Sequence, residues 1–268
     1  KLVDFLVIGS SMAFIAYMLA TMAIVSRLFH PNGPNLERVL ILATTAIAIH
    51  LFNDAQLFFN KSGINFSLPN VISLVSLVIT ITISIVALRV KVNLLLPVIY
   101  GFAGIWQLAR IFIPTSESIP LVAEKIILVS HISLALIAYC ILIIATLYAF
   151  QVTYINLKLK NKNLTAVVHL PPLMQVEKQL FIILAVGTLC LFASELIGLA
   201  FLDGFFAKEK IHKTVLSLIA LLIYTVILLG HYLQGWRGHR VLVLTVTASA
   251  LLTLSYFGSR FVKEFLLS

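Results

Sequence analysis

Charge is what this sequence has least of. Charged residues fill 11% of its 268 positions, against about 25% in a soluble domain. So few cannot cover a water-facing surface, which excludes an ordinary soluble fold. Cysteine is scarce as well. Cys140 and Cys190 both fall inside apolar stretches, which argues against a disulfide or a CxxC redox pair and leaves two packing residues. No HExxH is present, and zinc sites usually add nearby Cys or carboxylate ligands. Internal repeats and low-complexity linkers are missing, so residues 1–268 read as a single transmembrane domain. The formal charge of +9 does not point to nucleic acid, whose binders gather basic residues on one face. Here Lys and Arg punctuate apolar runs, as anchors facing phospholipid headgroups do.

What the sequence has is hydrophobicity: 61% of residues, with a mean hydropathy of +1.09. A bilayer core about 30 Å thick needs about 20 apolar residues in a helix, and helices are the default there because the backbone must satisfy its own hydrogen bonds. Apolar runs fall at 4–26, 38–58, 69–90, 94–112, 122–156, 177–201, 212–234 and 240–260. Their separators carry breakers or charge: HPNGPN at 30–35, NKSG at 60–63, RVKVN at 89–93, IPTSESIP at 113–120, KLKNKN at 158–163, LDGFFAKEK at 202–210 and GWRGHR at 235–240. The predicted fold is an all-α polytopic membrane bundle of about eight transmembrane helices. The first run is too long, and its flanks too uncharged, for a typical signal peptide, so a retained helix is expected. Lys and Arg divide almost evenly between the two sides. The acids do not: with the N-terminus outside, only Glu37 and Glu177 lie inside. The expected topology has both termini outside.

Intramembrane ionisable residues are costly and therefore functional candidates. His30, His169 and His239 sit in loops and read as solvated or headgroup-facing. His50 lies mid-run two, His131 near the outer end of run five, His212 at the outer start of run seven and His231 near its inner end. A lone buried histidine is more often structural; four on three helices in so apolar a chain weigh towards ligation. Imidazole suits zinc, copper, iron and haem. Haem asks for only one or two axial imidazoles and an apolar slot. In the expected topology His131 and His212 share one membrane level and could clamp one iron. His231 lies about 100° out of phase with His212 on the same helix, so one face does not present both: either His50 and His231 form a possible second site, or there is one site plus a structural residue. Asp54, one turn after His50, is either its proton acceptor or a polar residue at a helix end. Glu195 is a relay or substrate contact, or it snorkels to the surface. Arg110 is a partner for a haem propionate or an interfacial anchor. Trp106 and Trp236 read as aromatic-belt residues.

From run two onwards the chain resembles the cytochrome c assembly superfamily, and within it a small HemX-like branch. The pieces are AIHLFND at 48–54, GINFSLPNVISLVSL at 63–77, LLLPVIYGFA at 94–103, SHISLALIAY at 130–139, LPPLMQVEKQLF at 170–181, HKTVLSLIALLIY at 212–224, GHYLQGWRGHR at 230–240 and SYFGSR at 255–260. The resemblance implies haem held by paired histidines in the membrane and at the outer face. His50 and His231 match the membrane pair, and His131 matches an outer histidine; a ligand role for His212 rests on its position alone. The large synthases of the superfamily carry a tryptophan-rich loop where this chain has LDGFFAKEK. The resemblance therefore implies binding or handling of haem b in a bacterial inner membrane, accessory to cytochrome assembly or haem homeostasis, rather than ligation of haem to a cytochrome. The expected partners are the bilayer and other membrane proteins of assembly or transport. The alternatives are a small-solute transporter or its partner subunit, with Asp54 and Glu195 on the path, and a structural membrane protein without a ligand.

Overall fold

The computed structural model describes residues 2–60, 63–65, 67–113, 126–168, 170–202, 204, 206–208, 210–262 and 266. His169 and most of the 113–120 separator lie outside them. Among the described residues, eight long helices follow the eight apolar runs: α1 (Leu2–Val25), α2 (Leu36–Phe58), α3 (Leu68–Val86), α4 (Leu95–Arg110), α5 (Ile126–Lys160), α6 (Leu173–Phe201), α7 (Ile211–Gln234) and α8 (His239–Thr253). A π-helical turn at Leu254–Gly258 and a short turn at Ser259–Phe261 continue α8. Among the described residues, seven helices are long and apolar enough to cross a membrane. The remaining one, α4, has 16 residues and spans about 24 Å at 1.5 Å per residue.

Local chemistry sets the boundaries. Asn35 caps α2 by accepting from the Arg38 amide at 3.3 Å, with Glu37 in the first turn where the helix dipole favours an acid. Pro69 opens α3, where its missing N–H costs nothing. On either side of the NKSG separator, Phe59–Asn60 (β1) and Gly63–Ile64 (β2) pair antiparallel.

The chain divides into two compact units, 1–121 with 161–171, and 122–160 with 172–268. In the first, α1 packs on α2 and α4, and α3 packs on α2 and α4. In the second, α5 packs on α6 and α8, and α7 packs on α6 and α8. Each unit is thus a ring of four helices in chain order, the outcome of short connections between antiparallel neighbours. Many Phe, Leu and Ile face outward, with Leu189 68% exposed, and small and polar residues join buried Leu, Ile and Tyr in the contacts between helices, as lipid solvation favours. The buried stripe of α2 runs Val39, Ala43, Ala46, His50, Asp54, Leu57, and that of α3 includes Asn70, Ser73, Ser76, Thr80. At Gly187 a Cβ would meet Leu142 Cδ2 of α5 at 2.7 Å, so α5 and α6 approach where only hydrogen fits. The chain is an integral membrane helical protein.

Candidate functional site

Three histidine environments emerge, and they differ in chemistry. The first lies inside the α1–α4 unit. His50 is completely buried. Its Nδ1 is 2.8 Å from the Tyr17 hydroxyl, its Nε2 is 2.9 Å from Ser73 Oγ, and Asp54 Oδ2 lies 3.3 Å from that same Nε2. The neighbours fix the proton positions. Ser73 donates to Asp54 Oδ1 at 2.7 Å and accepts from Gln107 Nε2 at 3.1 Å. Its hydroxyl proton is therefore committed, and His50 Nε2 must donate to it. Nδ1 then accepts from Tyr17. Arg110 closes the chain: Nη1 donates to Asp54 Oδ1 at 2.7 Å and Nη2 donates to Asn70 Oδ1. Asn70 in turn donates to the carbonyls of Asn65 and Leu57. Arg110 is 4% exposed; its guanidinium is taken up by Asp54 and Asn70. Trp106, next along α4, donates to the Pro69 carbonyl at 3.1 Å. Both nitrogens of His50 are occupied by protein groups, so an iron could reach it only after Tyr17 or Ser73 withdrew.

The second environment is where α7 ends and α8 begins. Gly235 takes the left-handed conformation (φ 69°) as the α7 C-cap, which glycine adopts without steric cost. The turn folds the Trp236 indole over Gly230, where a Cβ would collide with the ring. It also carries the Trp236 carbonyl to His231 Nδ1 at 2.9 Å. A carbonyl only accepts, so Nδ1 carries the proton and Nε2 holds the lone pair. The half-buried imidazole stacks on Phe181 of α6, centroids 3.4 Å apart and planes within 5°. Beside it Arg237 grips Glu177 with two hydrogen bonds, 2.8 Å and 2.7 Å, and that carboxylate holds the guanidinium above its ordinary pKa. Arg240 lies over the Trp236 ring at 4.9 Å.

The third is the opposite end of the same unit, where α5 and α7 begin. His131 is half-buried, its Nδ1 2.9 Å from the Ser194 carbonyl. Here too the proton sits on Nδ1 and the lone pair on Nε2. His212 is exposed at the start of α7, the helix diagonal to α5 in the ring. Lys210 and Lys213 lie within electrostatic reach of His131. Glu195, adjacent to Ser194, is 4% exposed. His30 and His239 are exposed.

Among the described residues no three His, Cys, Asp or Glu side chains converge to hold a bare metal ion. Axial ligation of haem asks less. A ligating histidine almost always donates its second N–H to a carbonyl or carboxylate, which orients the ring and raises its basicity. His131 and His231 are held in that way, and their donor chemistry fits haem iron. Sequence reasoning missed Tyr17, Ser73, Asn70 and Gln107 as partners. The available signal was polar spacing along α3 and a tyrosine deep in an apolar run.

Together, the helical membrane fold and the backbone-anchored histidines define a class: membrane proteins with imidazoles poised inside helix bundles. The chain belongs to the cytochrome c assembly protein family, whose model matches residues 35–267. It is 41% identical to inner membrane protein YpjD of Escherichia coli strain K12, over 94% of this chain and 97% of that protein. It is also 31% identical to an uncharacterized 28.8 kDa protein from a nifR3-like 5′ region of Azospirillum brasilense, over 51% of this chain and 52% of the relative. No solved structure matches.

Proposed function

We propose that this protein binds haem b in a bacterial inner membrane and serves as an accessory of cytochrome c assembly, in the manner of the small HemX-like branch. Family membership supports haem-related work, and the name of the 41% identical relative supports the membrane. The observation that carries the reading is the anchoring of His131: its Nδ1–H is held by the Ser194 carbonyl, the kind of hydrogen bond that orients a ligating imidazole. His131 is one axial ligand and His212 the other. His231, anchored on Trp236, serves a second site. Both termini face outside, which puts His131 and His212 at the outer surface. Haem held by two imidazoles is six-coordinate and suits storage or passage, because oxygen chemistry needs an open position.

The test is the absorption spectrum of protein purified from haem-replete cells. Wild type should show a Soret band and a haem b pyridine haemochrome. His131→Ala should lose that haem or become five-coordinate, and added imidazole should restore the spectrum. His212→Ala should do the same at the same site. A wild type that neither carries nor takes up haem overturns the reading. So does a folded His131→Ala, His231→Ala double variant with an unchanged spectrum.

A transporter of small solutes is the second reading. It is favoured by Asp54 Oδ2 and Glu195 Oε2, buried carboxylate oxygens without a hydrogen bond among the described residues. A colourless protein that moves protons on substrate addition in liposomes would establish it.

A further inference from the structure

Basic side chains collect at one end of the second unit, and iron ligation gives them no task. α5 ends there, α6 begins, and α7 turns into α8. A narrow crevice brings three of these ends together, with Val152 of α5, Phe181 of α6 and Val241 of α8 on its walls and Glu177 and Gly238 beside them. Lys158 and Lys160 close α5, Lys178 lies in the second turn of α6, and Arg237 and Arg240 frame the start of α8. Glu177 is the one acid in the stretches 157–180 and 230–242, and Arg237 already holds both its oxygens. Lys160, Lys178 and Arg240 are exposed and make no ion pair among the described residues.

Arg240 is the best prepared of these cations. Its guanidinium lies over the Trp236 ring at 4.9 Å. That indole is itself fixed, packed on Gly230 and donating to Gln234 Oε1 at 3.2 Å. Stacking restrains a guanidinium and leaves its in-plane N–H groups to donate. Planar donors of this kind match a phosphate bidentately. α8 also starts without an acid in its first turn and without a side-chain cap, where the helix dipole favours negative charge; His239 and Arg240 stand there instead. Tyr232 and Leu233, in the last turn of α7, are 64% and 78% exposed. Basic groups beside bare apolar side chains fit a surface that is anionic outside and hydrocarbon within, whereas a soluble anion makes no use of the apolar part.

We infer that Arg240, with Lys178 and the two lysines that close α5, forms a docking site for the phosphodiester of an anionic phospholipid. Arg240 supplies the planar contact. Lys178, Lys158 and Lys160 add an attraction that fades beyond a Debye length. Tyr232 and Leu233 meet the acyl region. The Trp236 carbonyl that holds His231 belongs to the same turn, so the lipid and the imidazole bear on one short segment. Haem plays no part in this contact, which can be measured on haem-free protein.

The experiment uses Trp236 as its own reporter. Trp106→Phe leaves it the sole tryptophan and is the parent for every measurement. Full-length protein is reconstituted in phosphatidylcholine mixed with brominated phosphatidylglycerol, and in the reverse mixture, because bromine quenches an indole it lies beside. The ratio of the two quenching curves gives the lipid preference at that site. The parent should favour phosphatidylglycerol by about fivefold or more, and salt should weaken the preference. The double variant Arg240→Gln, Lys178→Gln should bring the ratio towards one. Lys208→Gln, at the opposite end of the unit, should leave it unchanged. Quenching by brominated phosphatidylcholine reports, in each variant, that the turn still sits in the bilayer. Equal quenching by the two lipids in the parent overturns the site. So does a double variant that keeps the parent's preference. A loss in Lys208→Gln as large as in the double variant assigns the effect to net charge and overturns it too. If inorganic phosphate abolishes the preference where chloride of equal ionic strength does not, the occupant is a free anion and the lipid site is overturned.

Discussion

Replacing Arg110 with methionine keeps the bulk of an unbranched side chain in α4 and removes a buried charge. The wild-type guanidinium donates to Asp54 Oδ1 at 2.7 Å and also to Asn70, and both Arg110 and Asp54 are almost wholly buried. Without it, Asp54 keeps the Ser73 hydroxyl at 2.7 Å and the His50 edge at 3.3 Å. Neither supplies a full positive charge. Breaking one side of a buried pair costs about 3–5 kcal/mol, because an uncompensated ion remains. Arg110→Met should therefore lower the free energy of unfolding by that amount. Asp54→Asn in the wild-type background should also destabilise, by stranding the guanidinium. The double variant Arg110→Met, Asp54→Asn has no charge left to strand and should be more stable than either single variant. The readout is reversible SDS unfolding followed by tryptophan fluorescence, with all four proteins forming a double-mutant cycle. A coupling energy under about 0.5 kcal/mol would mean the two sites act independently. That result would refute the reading that Arg110 and Asp54 stabilise each other.

Four further outcomes follow from the same structure. His50→Leu should destabilise by a few kcal/mol by orphaning Tyr17 and Ser73, whereas His30→Ala, at an exposed loop position, should stay within about 0.5 kcal/mol in the same unfolding assay. Gly187→Val forces atoms into the Leu142 contact between α5 and α6 and should cost about 1–3 kcal/mol by overpacking, read as a lower melting temperature. Gly230→Ala displaces the Trp236 indole and with it the carbonyl holding His231, which should appear as a shifted tryptophan emission maximum together with altered haem content. Reporter fusions after Asn161 should report a cytoplasmic position and fusions after Ser118 an external one; the reverse would invert the topology.

The helices were legible because lipid imposes a single requirement, an unbroken apolar stretch, and eight such stretches stand between charged or Pro/Gly-rich breaks. Run six shows the limit. Hydropathy begins it at 177, but α6 starts at Leu173, because Pro172 ends the preceding turn and the polar residues that follow still fit a helix. The candidate site was legible only as a set of residue types. Asp54 as the companion of His50 follows from i, i+4 spacing, yet Ser73, 19 positions away, lies between them in the hydrogen-bond chain. The choice for Arg110 was a propionate or the interface; its actual partners, Asp54 and Asn70, are 56 and 40 positions distant. The proton positions on His131 and His231 depend on which backbone carbonyl each ring meets. Ser194 is 63 residues from His131, and no local pattern encodes such a meeting. Two-residue strands such as β1 and β2 also fall below any periodicity signal.

The shortness of α4 ties the first unit to the thickness of its lipid. About 24 Å of helix in a film of about 30 Å is a hydrophobic mismatch, relieved by local thinning of the bilayer or by shelter from α1 and α3. Arg110 is the last residue of that helix. Longer acyl chains place it deeper in hydrocarbon and leave Asp54 as its sole source of negative charge. Shorter chains bring headgroups and water close enough to share the task. The grip of α4 on α2 is then a property of acyl chain length as well as of sequence, and the protein is tuned to the membrane in which it folds.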